Sequence, residues 1–457
     1  MDGITEKLVD YALGYSLEAA GENAVRATLH HLIDSVAVAI AGTTAESSRA
    51  AADVATAWPA AGGATVIGRS EKAPPDLAAF ANAVMVRTYD WNDGMQASAG
   101  GHPSDMIPGL LAVAEVCHSS GAELMNATAL AYELLGGVGI VLERGVWDQG
   151  LFMGGSTALA CGRLLRLTRE QLGQAASLAY TTALPLSVHR WGELSMMKGA
   201  STAYAVRNGV FCALLAQRGF TSAPEPMEGF YGMTHVMGEF DPRLPVVPGG
   251  PSVIEMSHQK LYPAETQVLG LLDLVPKVRD WAGDEEIVRI DVEMSERAVR
   301  HVADPAKYDP KNRETADHSL PYMLTVALLD GEITLESYAD ERVHDPALRP
   351  LMRRIVVHPN EEFTRIRQVF DGVTRAQPVK ICFRTASGRE FNEELRYHRG
   401  HFRSPLTSAE IDHKLDSASH GVLDDATRDR IRGEWWGLGS ATDVASLMRS
   451  LGSFGPR

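Results

Sequence analysis

Two aspartates and a histidine stand out in Tyr89-Asp90-Trp91-Asn92-Asp93-Gly94 and Gly100-Gly101-His102-Pro103-Ser104. Asp93 follows Asp90 by three residues, and His102 follows Asp93 by nine. The stretch between, Met95 to Gly101, is small and flexible and reads as a loop. A loop held between rigid helices is a frequent place for an acid/base pair. The competing reading has both aspartates capping or solvating that loop. A second polar segment runs Ser187-Val188-His189-Arg190-Trp191-Gly192-Glu193 and continues to Lys198-Gly199-Ala200. Lys198 opens an Ala/Gly-rich helix that reads as buried, where an ammonium is unfavourable without an anionic partner. A substrate carboxylate at that helix N-terminus is one such partner. The alternative is a lysine that reaches back to the surface.

Two further clusters carry titratable groups. His258-Gln259-Lys260-Leu261-Tyr262-Pro263-Ala264-Glu265-Thr266-Gln267 lies where the helical pattern gives way to a mixed one. A domain boundary of that kind is a usual place for a substrate cleft. Arg313-Glu314-Thr315-Ala316-Asp317-His318-Ser319-Leu320-Pro321-Tyr322 precedes an apolar helix. For each lone histidine here a structural hydrogen bond is the default. No Gly-rich phosphate loop follows a strand, and no G-x-S-x-G elbow occurs. His30-His31 lies on an early helix and reads as structural. Cys117, Cys161, Cys212 and Cys382 are scattered, with no C-x-x-C pair. That spacing speaks against zinc or iron–sulfur ligation and fits a reducing compartment.

These residues need elements to hold them. Val25, Leu29, Leu32, Ile33, Val36 and Ile40 form one apolar stripe, predicting a helix over 23–41. Similar patterns predict helices near 104–119, 123–142, 153–165, 169–183 and 200–218, many of them rich in small residues. The first ~265 residues therefore read as almost wholly helical. Strand alternation then appears in Val288, Ile290, Val292 and Met294, in Ile355 to Val357, and in Val379, Ile381 and Phe383. Ser387-Gly388 reads as a hairpin turn ahead of Phe391 and Leu395. Residues 319–330 and 334–352 read as helices between the strands. The tail returns to helix near Thr407 or Ser408, with Glu410 completing a capping pattern, and is expected to pack on the first helical region.

The formal net charge of −15 is unpromising for nucleic acid or an anionic membrane, so neither is expected as a partner. A few buried cations still suffice for an anionic small molecule. The start of the chain has no basic, apolar leader pattern, and no run reaches ~18 uninterrupted apolar residues. A cytoplasmic protein is expected.

Taken in order, the polar segments resemble the 2-methylcitrate dehydratase (MmgE/PrpD) family. Asp90-Trp91-Asn92-Asp93 with His102-Pro103-Ser104 is similar to its Asp-aromatic-Asp/Asn-Asp and His-Pro-Ser stretches. Arg190, Gly192-Glu193-Leu194-Ser195 and Lys198-Gly199-Ala200 resemble its Arg-x-Gly-Glu-x-Ser-x-x-Lys-Gly pattern. Leu215 to Thr221 with Glu228-Gly229, Lys260-x-Tyr262-Pro263-Ala264-Glu265, Glu314 to Tyr322, and Gly400 to Thr407 also match in register.

The resemblance implies a mainly α fold. A large all-helical domain would comprise residues 1–267 and the returning C-terminal helices of 401–457, with a smaller α+β lid, 268–400, inserted between them. It implies a homodimer, and a small di- or tricarboxylate as substrate, handled without metal or organic cofactor. Asp90, His102 and Lys198 take the places of the family's catalytic aspartate, histidine and lysine. Asn92, Asp93, Gln149, Arg190, Lys260, Tyr262, Gln267, His318 and Tyr322 are the implied substrate contacts. Three positions depart from the pattern: Gln149 and Gln267 stand where members often have histidine, and Gly94 where threonine is frequent. The implied chemistry is a dehydratase-type lyase reaction begun by removing a proton beside a carboxylate. Cis-aconitate-type decarboxylation, iminodisuccinate-type epimerisation and non-catalytic carboxylate binding are the alternatives. Asp90 or His102 would be the base and the other the acid, with Lys198 and Arg190 neutralising carboxylates.

Overall fold

The Ala-, Leu- and Val-rich stretches fold as long buried helices. The computed structural model describes residues 1–190, 195–452 and 454. Helix Glu22–Gly42 is buried from His30 to its end. Around it stand Pro75–Arg87, Ile107–Val116, Gly121–Gly139, Met153–Leu164, Arg169–Thr182 and Ser201–Gln217. Small residues let these helices approach closely: a Cβ on Gly209 would run into the carbonyl oxygen of Gly154. Capping boxes at Ser120/Glu123, Thr168/Gln171 and Thr407/Glu410 satisfy the first-turn N–H groups. Glu22–Gly42 is long and apolar enough to cross a membrane, but 78% of its apolar window is buried inside the protein. It reads as a core helix.

The α+β segment is built on a four-stranded sheet, ordered Ile355–Pro359, Ile287–Met294, Val379–Thr385, Glu390–Leu395. The first two strands pair parallel and the other pairs antiparallel. Ile290, Val292 and Met294 point into the core as their alternation predicts. Val288 does not; a register shift between Ile287 and Arg289 turns it outward. A bulge adds a residue and breaks the two-residue period there.

Two other expectations need correction. The first 265 residues include a two-stranded ribbon, Ala64–Thr65 with Lys72–Ala73, and between Gln217 and Val253 only Met233–Met237 is α-helical. Residues 334–352 form four short turns instead of one helix. Pro346 and Pro350 each open a new turn, because proline lacks the N–H that would continue the preceding one.

Helix outweighs strand 57% to 9%, so the fold is mainly α. Buried apolar side chains form two clusters. One gathers residues from Ile4 to Met256, together with Val373 and residues from Leu406 to Leu451. The other runs from Ala264 to Phe383. Helix Ser408–Ser419 packs against Glu22–Gly42, where wholly buried Lys414 Nζ meets Asp34 Oδ1 at 2.5 Å.

Candidate active site

Helix Pro75–Arg87 ends one turn before Asp90, whose φ of +52° is a left-handed conformation that aspartate tolerates better than most residues. This turn exposes both the backbone carbonyl and the carboxylate of Asp90 to the same lysine. Lys260 Nζ donates to Asp90 O at 2.6 Å and lies 3.1 Å from Asp90 Oδ2. Arg87 Nη1 donates to Asp90 Oδ1 from the other side. Burial pushes the Asp90 carboxyl up, but Lys260, Arg87, Lys198 and His318 outweigh it and hold the group well below the usual carboxylate range.

The next three residues are pinned by protein groups. Trp91 O accepts from Lys414 Nζ at 2.7 Å, and Trp91 Nε1 donates to Leu261 O at 3.0 Å. Asn92 Nδ2 donates to Ser104 Oγ and Asp105 Oδ1, both at 2.9 Å. Asp93 accepts from Ser104 N at 3.0 Å, Ser104 Oγ at 2.6 Å and Tyr132 Oη at 2.7 Å, with His31 Nδ1 at 3.1 Å. Gly94 pairs with His258, and a Cβ at Gly94 would run into the His258 ring. The departure from threonine there thus makes room for this histidine.

His102 closes the loop. Its Nδ1 faces the carbonyl oxygen of Asp93, which can only accept, so Nδ1 carries the proton and Nε2 keeps the lone pair. Nε2 lies 3.9 Å from Asp90 Oδ1. Burial, then Arg87, push the His102 pKa well below that of free imidazole, with Asp90 opposing. The ring is therefore neutral at ordinary pH.

Lys198 does not reach back to the surface. It is buried with Nζ 3.0 and 3.1 Å from the two Asp317 oxygens and 3.2 Å from His318 Nδ1. Burial works against the charge of Asp317, but Lys198 and His318 hold its pKa down to about 2. The Arg190 guanidinium is committed to protein groups: Asp148 Oδ2 at 2.8 Å, Lys198 O at 2.6 Å and Ser201 Oγ at 2.7 Å. Gly192, Glu193 and Leu194 of the same motif lie outside the described residues.

The structure thus gathers Asp90, His102, Lys198, Lys260 and His318 into one buried cluster. Asn92 and Asp93 sit behind it, and Arg190 stands one residue-length back from Lys198. Gln149 lies beside it, against Gly101. Gln267 donates through Nε2 to Glu265 at 3.2 Å, and its buried Oε1 has no hydrogen-bond partner. Two residues lie apart. Tyr262 lines a cavity of about 280 Å³ with Leu272, Asp330 and Glu332. Tyr322 is in the second core and donates to Ser337 O at 2.5 Å.

Sequence reasoning missed Arg87 and Asp105, and it placed Asp317 in a polar cluster without giving it a role. Arg87 had a signal: a lone cation at the end of Ala/Val-rich helix Pro75–Arg87, three residues before Asp90. Burial pushes the Asp105 carboxyl up to about 7, with Arg87 opposing. Among the described residues, no group of three or more His, Cys, Asp and Glu side chains is placed to hold a metal ion. The arrangement offers instead fixed cations, a neutral imidazole and an ion-paired carboxylate in a water-poor site, suited to proton transfer beside an anion.

The chain is 24% identical to a cis-aconitate decarboxylase of Aspergillus terreus, covering 98% of this chain and 96% of that protein. It is 27% identical to the 2-methylcitrate dehydratases of Salmonella typhi and of Escherichia coli strain K12, covering 75% of this chain and 74% of each. Residues 6–243 match the MmgE/PrpD N-terminal domain and residues 262–437 the MmgE/PrpD C-terminal domain. The chain belongs to the MmgE/PrpD family.

Proposed function

We propose that this protein is a lyase that removes a proton next to a carboxylate of a small di- or tricarboxylate, with dehydration as the overall reaction. The observation that carries this reading is the buried cluster in which Arg87, Lys260 and Lys198 surround Asp90 and the His102 Nε2 lone pair. Deprotonation beside a carboxylate adds negative charge to an anion, and fixed cations in a low-dielectric site stabilise it. Asp90, held ionised by Arg87 and Lys260, is too weak a base for a carbon acid and serves to position those cations. His102 Nε2 takes the proton. The imidazolium so formed lies 3.9 Å from Asp90 Oδ1, which compensates its charge. That proton then goes to the departing hydroxyl as the C–O bond breaks, releasing water and leaving the alkene. Lys198 holds a substrate carboxylate, with Arg190 gripping its carbonyl, and Asn92 and Asp93 hold the loop. The steps as written use side chains alone.

Decarboxylation is the second reading, favoured by similarity to the Aspergillus terreus decarboxylase along 98% of this chain. There His102 enters the step protonated on Nε2: the C–C bond to the departing carbon dioxide breaks, the carbanion takes that proton, and Nε2 regains one from water.

Residues 268–400 act as a lid in this proposal. Supporting it, the cluster is closed and its residues come from both apolar cores: Asp90 and Lys198 are 3% and 6% exposed, and Asp317 and His318 adjoin the second core. A second copy of the chain covers the face formed by Leu184, Leu186, Val188, Tyr204 and Phe211, which are 40–64% exposed beside a cavity of about 510 Å³. Sedimentation equilibrium should give twice the chain mass, and Phe211→Glu should give monomers; a wild-type monomer at micromolar concentration sinks the dimer.

The function is tested by incubating the protein with citrate-like acids in deuterated water, with EDTA present, and following them by NMR. Deuterium uptake or a new alkene from one acid is the expected result. Tight binding without exchange or product would favour a carboxylate-binding protein instead.

A further inference from the structure

Four arginines lie outside the acid–base cluster and close to it. Arg144 Nη1 donates to Gly100 O at 3.0 Å, and Arg375 Nε donates to Gln96 O at 3.0 Å, so both grip the loop that ends in His102. Arg375 Nη1 also donates to Arg367 O at 3.2 Å, which brings Arg367 alongside. Arg297 lies on helix Glu296–Val302 with His301, whose ring centroid is 5.4 Å from that of His318. Arg297 is exposed and the other three are half-buried, so the group grades inward from solvent.

None of the four makes an ion pair with a described residue. Of the carboxylates that act on them, Asp148 is held by Arg190 and Glu265 accepts from both nitrogens of Gln267, while Glu143, which favours the Arg375 charge, is exposed. Arg367 Nε is buried with no hydrogen-bond partner. Burial, followed by repulsion from Arg375 and Arg297, lowers Arg367 to about 10. Burial and like charges also lower Arg144 and Arg375, with Arg297 contributing to each. Guanidinium groups that repel one another and have no ion pair to a described residue are unfavourable in the folded chain alone, and an anion of carboxylate geometry would relieve them.

We propose that Arg144, Arg297, Arg367 and Arg375 form an anion subsite that holds the distal carboxylate of the substrate and so selects tricarboxylates over dicarboxylates. The inference rests on the carboxylate reading of the active site given above. One carboxylate meets Lys198, and the bond that reacts lies near His102. The loop that Arg144 and Arg375 grip at Gly100 and Gln96 runs on to His102 and ties the arginines to the reacting end of the site.

Calorimetric titration of the full chain with citrate, glutarate and inorganic phosphate tests this. The variants are Arg297→Gln/Arg367→Gln and the charge-retaining Arg297→Lys/Arg367→Lys; neither breaks an ion pair, and melting curves check the fold. Citrate affinity should fall about tenfold or more in the glutamine variant and recover in large part in the lysine variant, while glutarate stays within about twofold. Unchanged citrate binding, or equal loss for citrate and glutarate, overturns the subsite and leaves the active-site reading standing. Weakened phosphate with unchanged acids would mean a separate anion site, which also overturns it. A wild-type chain that binds neither acid removes the carboxylate reading and the subsite together.

Discussion

His102→Gln will lower turnover about 100- to 10,000-fold while leaving the melting temperature nearly unchanged. Glutamine can keep one hydrogen bond to the Asp93 carbonyl, so the loop retains its anchor. What it lacks is a basic lone pair at the place of Nε2, 3.9 Å from Asp90 Oδ1. The pH dependence of wild-type kcat/KM carries the same prediction. The base form of His102 exists above its pKa, and burial with Arg87 has moved that pKa well below 6.5. Activity should therefore persist as the pH falls through 6.5 and disappear only at distinctly lower values. An acidic limb at 6.5 or above, or a glutamine variant with near-wild-type turnover, would remove His102 from the role of base. On the alkaline side, burial lowers Lys198 from 10.5, so loss of the ammonium should begin below that value.

Lys198→Ala will lose both turnover and stability. Lys198 is a partner of buried Asp317, 3.0 Å away, and removing it leaves that carboxylate with His318 as its remaining close partner. Breaking a buried pair in this way costs about 3–5 kcal/mol. Activity loss in the single variant therefore says little by itself. The informative variant is Lys198→Ala/Asp317→Asn, which removes both charges. Its melting temperature should recover most of the loss, while turnover stays at least about 100-fold down. Recovery of turnover along with stability would make Lys198 a structural partner of Asp317 and take it out of catalysis.

Much of the secondary structure was legible because it follows from short-range patterns. The stripe from Val25 to Ile40, the alternation in Val379 to Phe383 and the Thr407/Glu410 cap each specify their element within a few residues. Where neighbours decided otherwise, the reading failed: Val288 was turned outward by a bulge that depends on its partner strand, and the prolines of 334–352 cut one helix into turns. The chain also marked Asp90, His102 and Lys198 as chemically unusual in their surroundings. Local sequence carries no record of their partners. Lys260 reaches Asp90 across 170 residues, Asp317 reaches Lys198 across 119, and Lys414 reaches Trp91 across 323. Charge state depends on those partners and on burial, since Coulomb and desolvation terms act through space. So local pattern specified most of the helices and strands and marked residues that could do chemistry. The folded arrangement was needed to make Asp90 a pinned anion, to keep His102 neutral with Nε2 free, and to leave Arg144, Arg297, Arg367 and Arg375 with no ion pair to a described residue.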